Sequence, residues 1–327
     1  ELLSFKVGRR STLRRLFAPP EVPRGVYFWG GVGRGKSFLM DCFFDAVPYR
    51  RKRRIHFHAF MHQIHAELRQ HAGKADPLVP VAERIAKDFG ISREEQDAFA
   101  LRSHLRAIAA RAKLSEEIAV AYPKAKKIVA QDIGPRDGQT IEALAKLKPY
   151  FDRRHGTVTV GNACPITDGA TMVVMMSEEK AKAAGYPILG RIKAVSFAGC
   201  EPSRMGLGPV FASPKALKLA GHSLRDMDLI EINEAFAAQV IGCMKGFASK
   251  EFAKAHLGMN EAVGEIDPEK LNVNGGAIAL GHPVGTSGAR LVLTLLNELK
   301  RRNKHLGLAT LCIGGGQGGA CVVERAA

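Results

Sequence analysis

Clusters of glycine, set where a β-prone apolar run gives way to a helical one, constrain this chain more than any other feature. There are 34 glycines, with dense groups at residues 30–35, 275–281 and 314–319. Glycine reaches backbone conformations closed to other residues and lets N–H groups approach a ligand. Repeated strand, glycine turn and helix therefore predict an α/β protein. Of the 327 residues 46% are hydrophobic, enough for two ordinary domains with their own cores. No apolar run reaches the roughly 18 residues that a membrane span needs.

The formal charge of +16 is unevenly placed. Residues 1–60 hold 13 Lys/Arg against 4 Asp/Glu, a net of +9, which leaves +7 for the rest. Basic runs such as Arg50-Arg51-Lys52-Arg53-Arg54 can attract nucleic acid, anionic lipid or nucleotide. No nucleic-acid motif accompanies them, so the plain reading is a solvated basic face and nucleic acid is not an expected partner. Six cysteines (Cys42, Cys164, Cys200, Cys243, Cys312, Cys321) show no CxxC and no metal-ligand spacing. That is the usage of a reducing compartment. The chain opens at Glu1 with no signal peptide in view. The location expected is cytoplasmic, or the mitochondrial matrix in a eukaryote.

Residues 26–29 read as a strand, 30–35 as a glycine loop and 37–44 as a helix, with a second strand at 55–60. Ser92-Arg93-Glu94-Glu95 is a capping box that starts a helix running towards Ala112. Residues 113–160, broken by Pro123, Gly134-Pro135 and Pro149, predict a loop-rich subdomain. Strand-like runs follow at 192–198, 228–232, 308–313 and 320–323, with a shorter one at 271–273. Helical stretches fall at 214–220, 234–247 and 288–301. The alternation predicts a mostly parallel sheet with helices on both faces. The last two strands, separated only by glycine-rich residues, predict an antiparallel hairpin.

Gly30-Gly31-Val32-Gly33-Arg34-Gly35-Lys36-Ser37 fits GxxxxGK[ST] between a strand and a helix. The backbone of Gly30, Gly33 and Gly35 can wrap phosphate oxygens, Lys36 adds a point charge and Ser37 can ligate Mg²⁺. His56, His58, His62 and His65 lack a Cys or carboxylate to complete a metal set. With Pro23 to Asp41, Arg53 to Met61 (RRIHFHAFM), His65 and Asp76-Pro77-Leu78, residues 1 to about 86 resemble the ZapE-like (AFG-like) family of ATPases. That resemblance implies Mg-ATP binding at this loop. Nothing after Ala86 resembles the family's acidic Walker B strand, so hydrolysis lacks parts.

Three clusters carry the second chemistry. Asn233-Glu234-Ala235-Phe236 follows a strand, Gly275-Gly276-Ala277-Ile278-Ala279-Leu280-Gly281-His282-Pro283 precedes a helix, and Cys312-Ile313-Gly314-Gly315-Gly316 joins the final hairpin. Each is expected to place a polar group at the C-terminal end of a strand, where open α/β sheets build their sites. An imidazole, a thiol and an amide beside glycine-rich backbone suit acyl transfer.

With Ile91 to Asp97 (ISREEQD), Gly156 to Ala163 (GTVTVGNA), Asp168-Gly169-Ala170 and Met205-Gly206-Leu207-Gly208-Pro209, residues from about 83 to 327 resemble the C-terminal portion of thiolase. That family makes or cleaves 3-ketoacyl-CoA. The resemblance implies an oxyanion hole from His282 and an Asn233-held water, with His282 also activating the nucleophile. It implies that Cys312 is the acid/base, that the Gly314 N–H serves a second oxyanion hole, and that Cys164 lies near the CoA pantetheine. A coenzyme A thioester is then the substrate, no cofactor is tightly bound, and the assembly is a dimer or tetramer.

Thiolases work through an acylated cysteine in a Cys-Ala/Ser-Ser-Gly-like setting at a helix start, and these 327 residues hold no such segment. Cys42 lies inside the helix after the phosphate loop and is no substitute. Loss of that half is expected to leave an apolar patch. The organisation expected is a truncated P-loop segment (1–86), a linker helix and loop subdomain (87–190) and a thiolase C-terminal domain (191–327), joined near residues 81–87. Three functions compete: an acyl-CoA acyltransferase impaired for want of its nucleophile, an ATP-binding module, and a non-catalytic CoA-binding protein.

Overall fold

The computed structural model describes residues 79–122, 128–150 and 152–326. The chain divides into units 1–74 and 75–327, and the described residues belong to the second. The phosphate loop, its lysine and serine, the four histidines and Cys42 lie outside the described residues.

Helix α1 (Val79–Asp88) carries the boundary expected at residue 86. Its Ala82 and Ile85 are fully buried. Ile85 lies so close to Gly206 and Gly242 that a Cβ on either would collide with it. The Glu83 carboxylate accepts the N–H groups of Thr157 and Val158 at 2.9–3.0 Å. The helix thus packs with residues C-terminal to it.

Helix α2 (Arg93–Ala109) begins where the sequence says it should. The Ser92 hydroxyl accepts from the Glu95 N–H, and the Glu95 carboxylate accepts from the Ser92 N–H at 2.7 Å. The described residues among 113–160 hold only the short helix Ile141–Ala145 and the end of Arg111–Ser115, in keeping with a loop-rich subdomain.

The sheet has the order β1-β4-β3-β2, with β1 Gly190–Gly199, β2 Leu229–Ile232, β3 Leu306–Ile313 and β4 Gln317–Arg325. β2 and β3 pair in parallel, while β4 pairs antiparallel with both β3 and β1. The sheet is therefore mixed, and the mostly parallel expectation holds only for direction. Three strands run one way, and the hairpin folds β4 back between β1 and β3, so one neighbouring pair alone is parallel.

Period-two alternation sorts the strands onto two faces. Ile230, Leu308 and Val322 pack with helices α3 (Gly208–Ala220) and α4 (Ala237–Ala248). Leu229, Ala309 and Val323 pack with α5 (Val284–Arg301) through Leu291, Leu295 and Leu299. On edge strand β1 the alternation leaves Val195 and Phe197 exposed.

Two sequence expectations need correction. Helix α3 begins at Gly208, not at Pro214, because Pro209 takes the first turn and Pro214 is carried inside the helix. Residues 271–273 form no strand. Asn272 has φ of 47°, and it meets β2 with its backbone N–H on Ile230 and its side-chain amide on both polar groups of Ile232.

Candidate active site

Strands β2 and β3 run in parallel, so their C-terminal ends share one edge, and Ile232 stands opposite Thr310. Asn233 leaves β2 with its N–H bonded to the Thr310 carbonyl at 3.0 Å. Its side chain is fully buried, yet neither Oδ1 nor Nδ2 meets a protein partner. Buried amides are ordinarily bonded. These two atoms are suited to a water or a substrate oxygen.

Cys312 sits one residue from the end of β3 on the face of Leu308, buried and bound to no other cysteine. Burial pushes its thiol up to about 12, and the neighbouring Cys164 and Cys200 add to this. Cys312 is therefore a neutral S–H proton donor at rest. At the hairpin tip, Gly315 and Gly316 have φ of 86° and 91°, the left-handed region that glycine tolerates. Gly316 also clasps the Cys200 loop, accepting the Cys200 N–H at 2.8 Å. Gly314 is exposed, with nothing within 4 Å of where a Cβ would stand.

His282 does not sit at a strand end, as the sequence suggested. It lies between the short helix Ala277–Leu280 and α5, because residues 271–273 form no strand to carry it there. Its Nδ1 lies 2.6 Å from the Ser287 Oγ, which is also 3.2 Å from the Pro283 carbonyl. When the hydroxyl proton goes to that carbonyl, Oγ accepts from Nδ1–H and Nε2 keeps a free lone pair. When it goes to Nδ1, Nε2 carries the proton and donates. In both states Nε2 is the nitrogen left for chemistry. Burial first, then the charge of Arg290, lowers the His282 pKa, so the ring is neutral. The positive end of α5 acts in the same sense.

Residues 162–169 lace these pieces together. The Cys164 N–H bonds to the Ala235 carbonyl at 3.0 Å, and Ala163 bridges Phe236. Further on, Thr167 abuts Gly281, and Gly169 abuts Pro283 and accepts from the Thr286 hydroxyl at 2.7 Å. Cys164 thus stands between the Asn233 loop and the His282 loop, its thiol raised to about 11 chiefly by burial.

Several supporting residues were given no individual role by the sequence. Glu234, 1% exposed, accepts from the Ser103 hydroxyl at 2.6 Å, from the Asn272 amide at 2.8 Å and from the Ile278 N–H at 3.2 Å. It ties α2 to the turn before His282. Glu231 is fully buried, its carboxyl raised to about 8 by burial against the counter-effect of Arg290, 3.6 Å away. Cys243 is core, donating to the Gly206 carbonyl. Among the described residues, no group of three or more His, Cys, Asp or Glu could hold a metal. No described helix is long and apolar enough to cross a membrane.

The fold and site define a layered α/β protein in which Asn233 and Cys312 lie at the C-terminal ends of adjacent parallel strands and residues 162–169 link the Asn233 loop to the His282 turn. Residues 186–325 match the family described as thiolase, C-terminal domain, and residues 63–179 match thiolase, N-terminal domain. The 3-ketoacyl-CoA thiolases of Pseudoalteromonas translucida (strain TAC 125) and Shewanella halifaxensis (strain HAW-EB4) are 51% and 49% identical over 249 and 247 residues. Those stretches cover 75% and 74% of this chain but 57% of each relative. Among solved structures, the Bacillus anthracis acetyl-CoA acetyltransferase superposes with a TM-score of 0.68 at 41% identity, covering 76% of this chain and 60% of that one. Human mitochondrial 3-ketoacyl-CoA thiolase gives 0.65 at 40%, with the same coverage, and has also been solved in complex with CoA. From residue 63 to residue 325 the chain belongs to the thiolase family. Residues 4–91 match a second family, AFG1-like ATPase. The chain spans less than two thirds of the length of these thiolase relatives.

Proposed function

We propose that this chain carries the oxyanion-stabilising and proton-moving part of a thiolase-type acyl-CoA acyltransferase site, without the cysteine that takes the acyl group. The observation that carries the reading is the fully buried Asn233 amide, unpartnered by protein, at the end of β2 beside Cys312 on the adjacent strand. With Asn233 holding a water and His282 offering Nε2–H, two donors polarise a thioester oxygen and stabilise the charge that grows on it. The exposed Gly314 N–H is suited to a second such hole, and the lacing segment brings Cys164 to the pantetheine side.

Cys312 is suited to move the proton in either direction. When a cysteine from outside this chain takes the acyl group as the 3-ketoacyl C–C bond breaks, the neutral thiol protonates the carbon set free and becomes a thiolate. In the reverse direction the thiolate removes a proton from the acetyl-CoA methyl group.

None of the described thiols replaces the missing nucleophile. Cys164, Cys312 and Cys321 are raised to about 11–12 and Cys243 higher still, each chiefly by burial, and Cys200 is raised by the same cause. Titration calorimetry with CoA and acetoacetyl-CoA, run beside a thiolysis assay, tests this. Binding without turnover is expected. Turnover abolished by His282→Ala or Cys312→Ala would overturn the claim of impairment.

A second reading rests on the AFG1-like match over residues 4–91 and the loop Gly30 to Ser37 within it. It assigns Mg-ATP binding to Lys36 and Ser37. Saturable Mg-ATP binding that Lys36→Ala removes supports it; no binding disposes of it.

A further inference from the structure

Arg290 lies outside the sequence motifs, yet its guanidinium is the buried cation next to the acyl-transfer groups. It stands about two turns into α5 and reaches across to β2, where Nη1 stops 3.6 Å from the Glu231 carboxyl. A charge-assisted bond would close to roughly 2.7–2.9 Å. Nη1, Nη2 and Glu231 Oε2 are buried and, like both amide atoms of Asn233, meet no hydrogen-bond partner in the protein. Burial raises the Glu231 carboxyl to about 8, so at neutral pH it does not cancel the charge of the arginine.

These unpartnered atoms line one space. The Asn233 N–H bonds the Thr310 carbonyl, which carries the β2–β3 ladder one residue past Ile232. Strand alternation then turns Asn233 to the side of Leu229 and Glu231, the side that α5 covers. On α5, Ser287 and Arg290 are three residues apart and therefore neighbours on one stripe of the helix. The Ser287 Oγ holds His282 Nδ1, and the charge of Arg290 reaches the His282 ring. Arg290 thus flanks the space between the Asn233 amide and His282. Where buried donors and acceptors stand just beyond bonding range, an oxygen between them satisfies both. Water takes roughly two to four such partners.

We propose that Arg290 is a positioning residue of the acyl-transfer site, holding together with Asn233 the water that polarises the thioester oxygen. The water oxygen accepts from an Arg290 Nη–H and from the Asn233 Nδ2–H. One of its protons then goes to Glu231 Oε2 and the other to the thioester oxygen. A cation behind the water makes that outward proton the stronger donor. Asn233 supplies a neutral dipole; Arg290 supplies the charge. This rests on the acyl-transfer reading above.

The test uses the full chain with acetoacetyl-CoA, isotope-labelled at its thioester carbonyl, and with CoA as the reference ligand. In isotope-edited infrared spectra the carbonyl stretch of the ligand bound to the wild-type chain is expected at lower frequency than in the free ligand. Arg290→Met is expected to return the band towards its free position and to weaken acetoacetyl-CoA binding about tenfold in calorimetry, with CoA binding unchanged. Arg290→Lys, which keeps the charge without the planar fork, is expected to fall between. A band and an affinity indifferent to Arg290→Met overturn the assignment. So does an equal weakening of CoA, which would make the role structural. Should Arg290→Met not fold, a wild-type band in Arg290→Lys overturns it. Failure of the reading beneath it is distinct: a wild-type chain that binds neither ligand, or binds acetoacetyl-CoA without lowering the stretch, removes acyl transfer and the assignment with it.

Discussion

His282 is held neutral by burial, by Arg290 and by the end of α5, and this has a consequence for pH. Its folded pKa lies below the ordinary histidine value, so the unfolded chain binds the proton more readily. The stability contributed by the neutral ring is present above the ordinary value and lost as pH falls below it. In an NMR titration His282 is expected to protonate at lower pH than an ordinary histidine, with Arg290→Met moving it back up. No upward movement would remove Arg290 from the account. Glu231 has the opposite sign. Its carboxyl is raised to about 8, so its contribution is present below the ordinary carboxylate range and lost as pH rises towards 8. Glu231→Gln is expected to flatten the fall in melting temperature over that window, by about 2–4 °C for each kcal/mol recovered. An unchanged pH profile would show that Arg290 already compensates the charge. Asn233, His282, Cys312 and Gly314 were singled out in the sequence by short motifs, Asn233 by Asn-Glu-Ala-Phe after a strand and the other three by glycine-rich turns. Ser287 and Glu234 acquire their roles only on folding. The Ser103–Glu234 bond, for example, joins residues 131 positions apart.

Elements whose cause is local were read correctly, and those set by tertiary contact were not. The Ser92 box starts α2 through two bonds within four residues, and the final hairpin follows from a run of glycines. Ser92→Ala is expected to cost about 1 kcal/mol in denaturant melts, and a change below a few tenths would show that packing alone sets the helix start. Pro214 looked like a beginning because proline favours a first turn. The structure instead starts α3 at Gly208, whose backbone touches that of Gly318 so closely that neither can carry a Cβ. Gly318→Ala should therefore cost about 1–3 kcal/mol. Gly285→Ala meets nothing within 4 Å and should cost nothing by comparison. Equal effects would sink the close-approach explanation of the Met205 to Pro209 motif. A mostly parallel sheet closed by an antiparallel hairpin was expected, without the pairing of β2 with β3. Insertion of β4 between β1 and β3 was not, since strand order is a tertiary property.

Across the described residues as a whole, exposed apolar surface collects in a few places. Val195 and Phe197 of β1 and the run 170–176 face outward, on a chain that covers only part of its thiolase relatives. The sequence led to the expectation of an apolar patch on the C-terminal domain, where Val195 and Phe197 are exposed; the exposed run at 170–176 precedes that domain and was not foreseen. Asn233 and Cys312 lie at the C-terminal ends of β2 and β3, and burial raises the pKa of every described cysteine. Mass spectrometry of the intact chain after incubation with acetoacetyl-CoA reports most directly on whether any thiol here accepts an acyl group. The expected spectrum shows unmodified protein under conditions where calorimetry shows binding. A stoichiometric acetyl adduct on any cysteine, lost when His282 is replaced by alanine, would contradict the central claim.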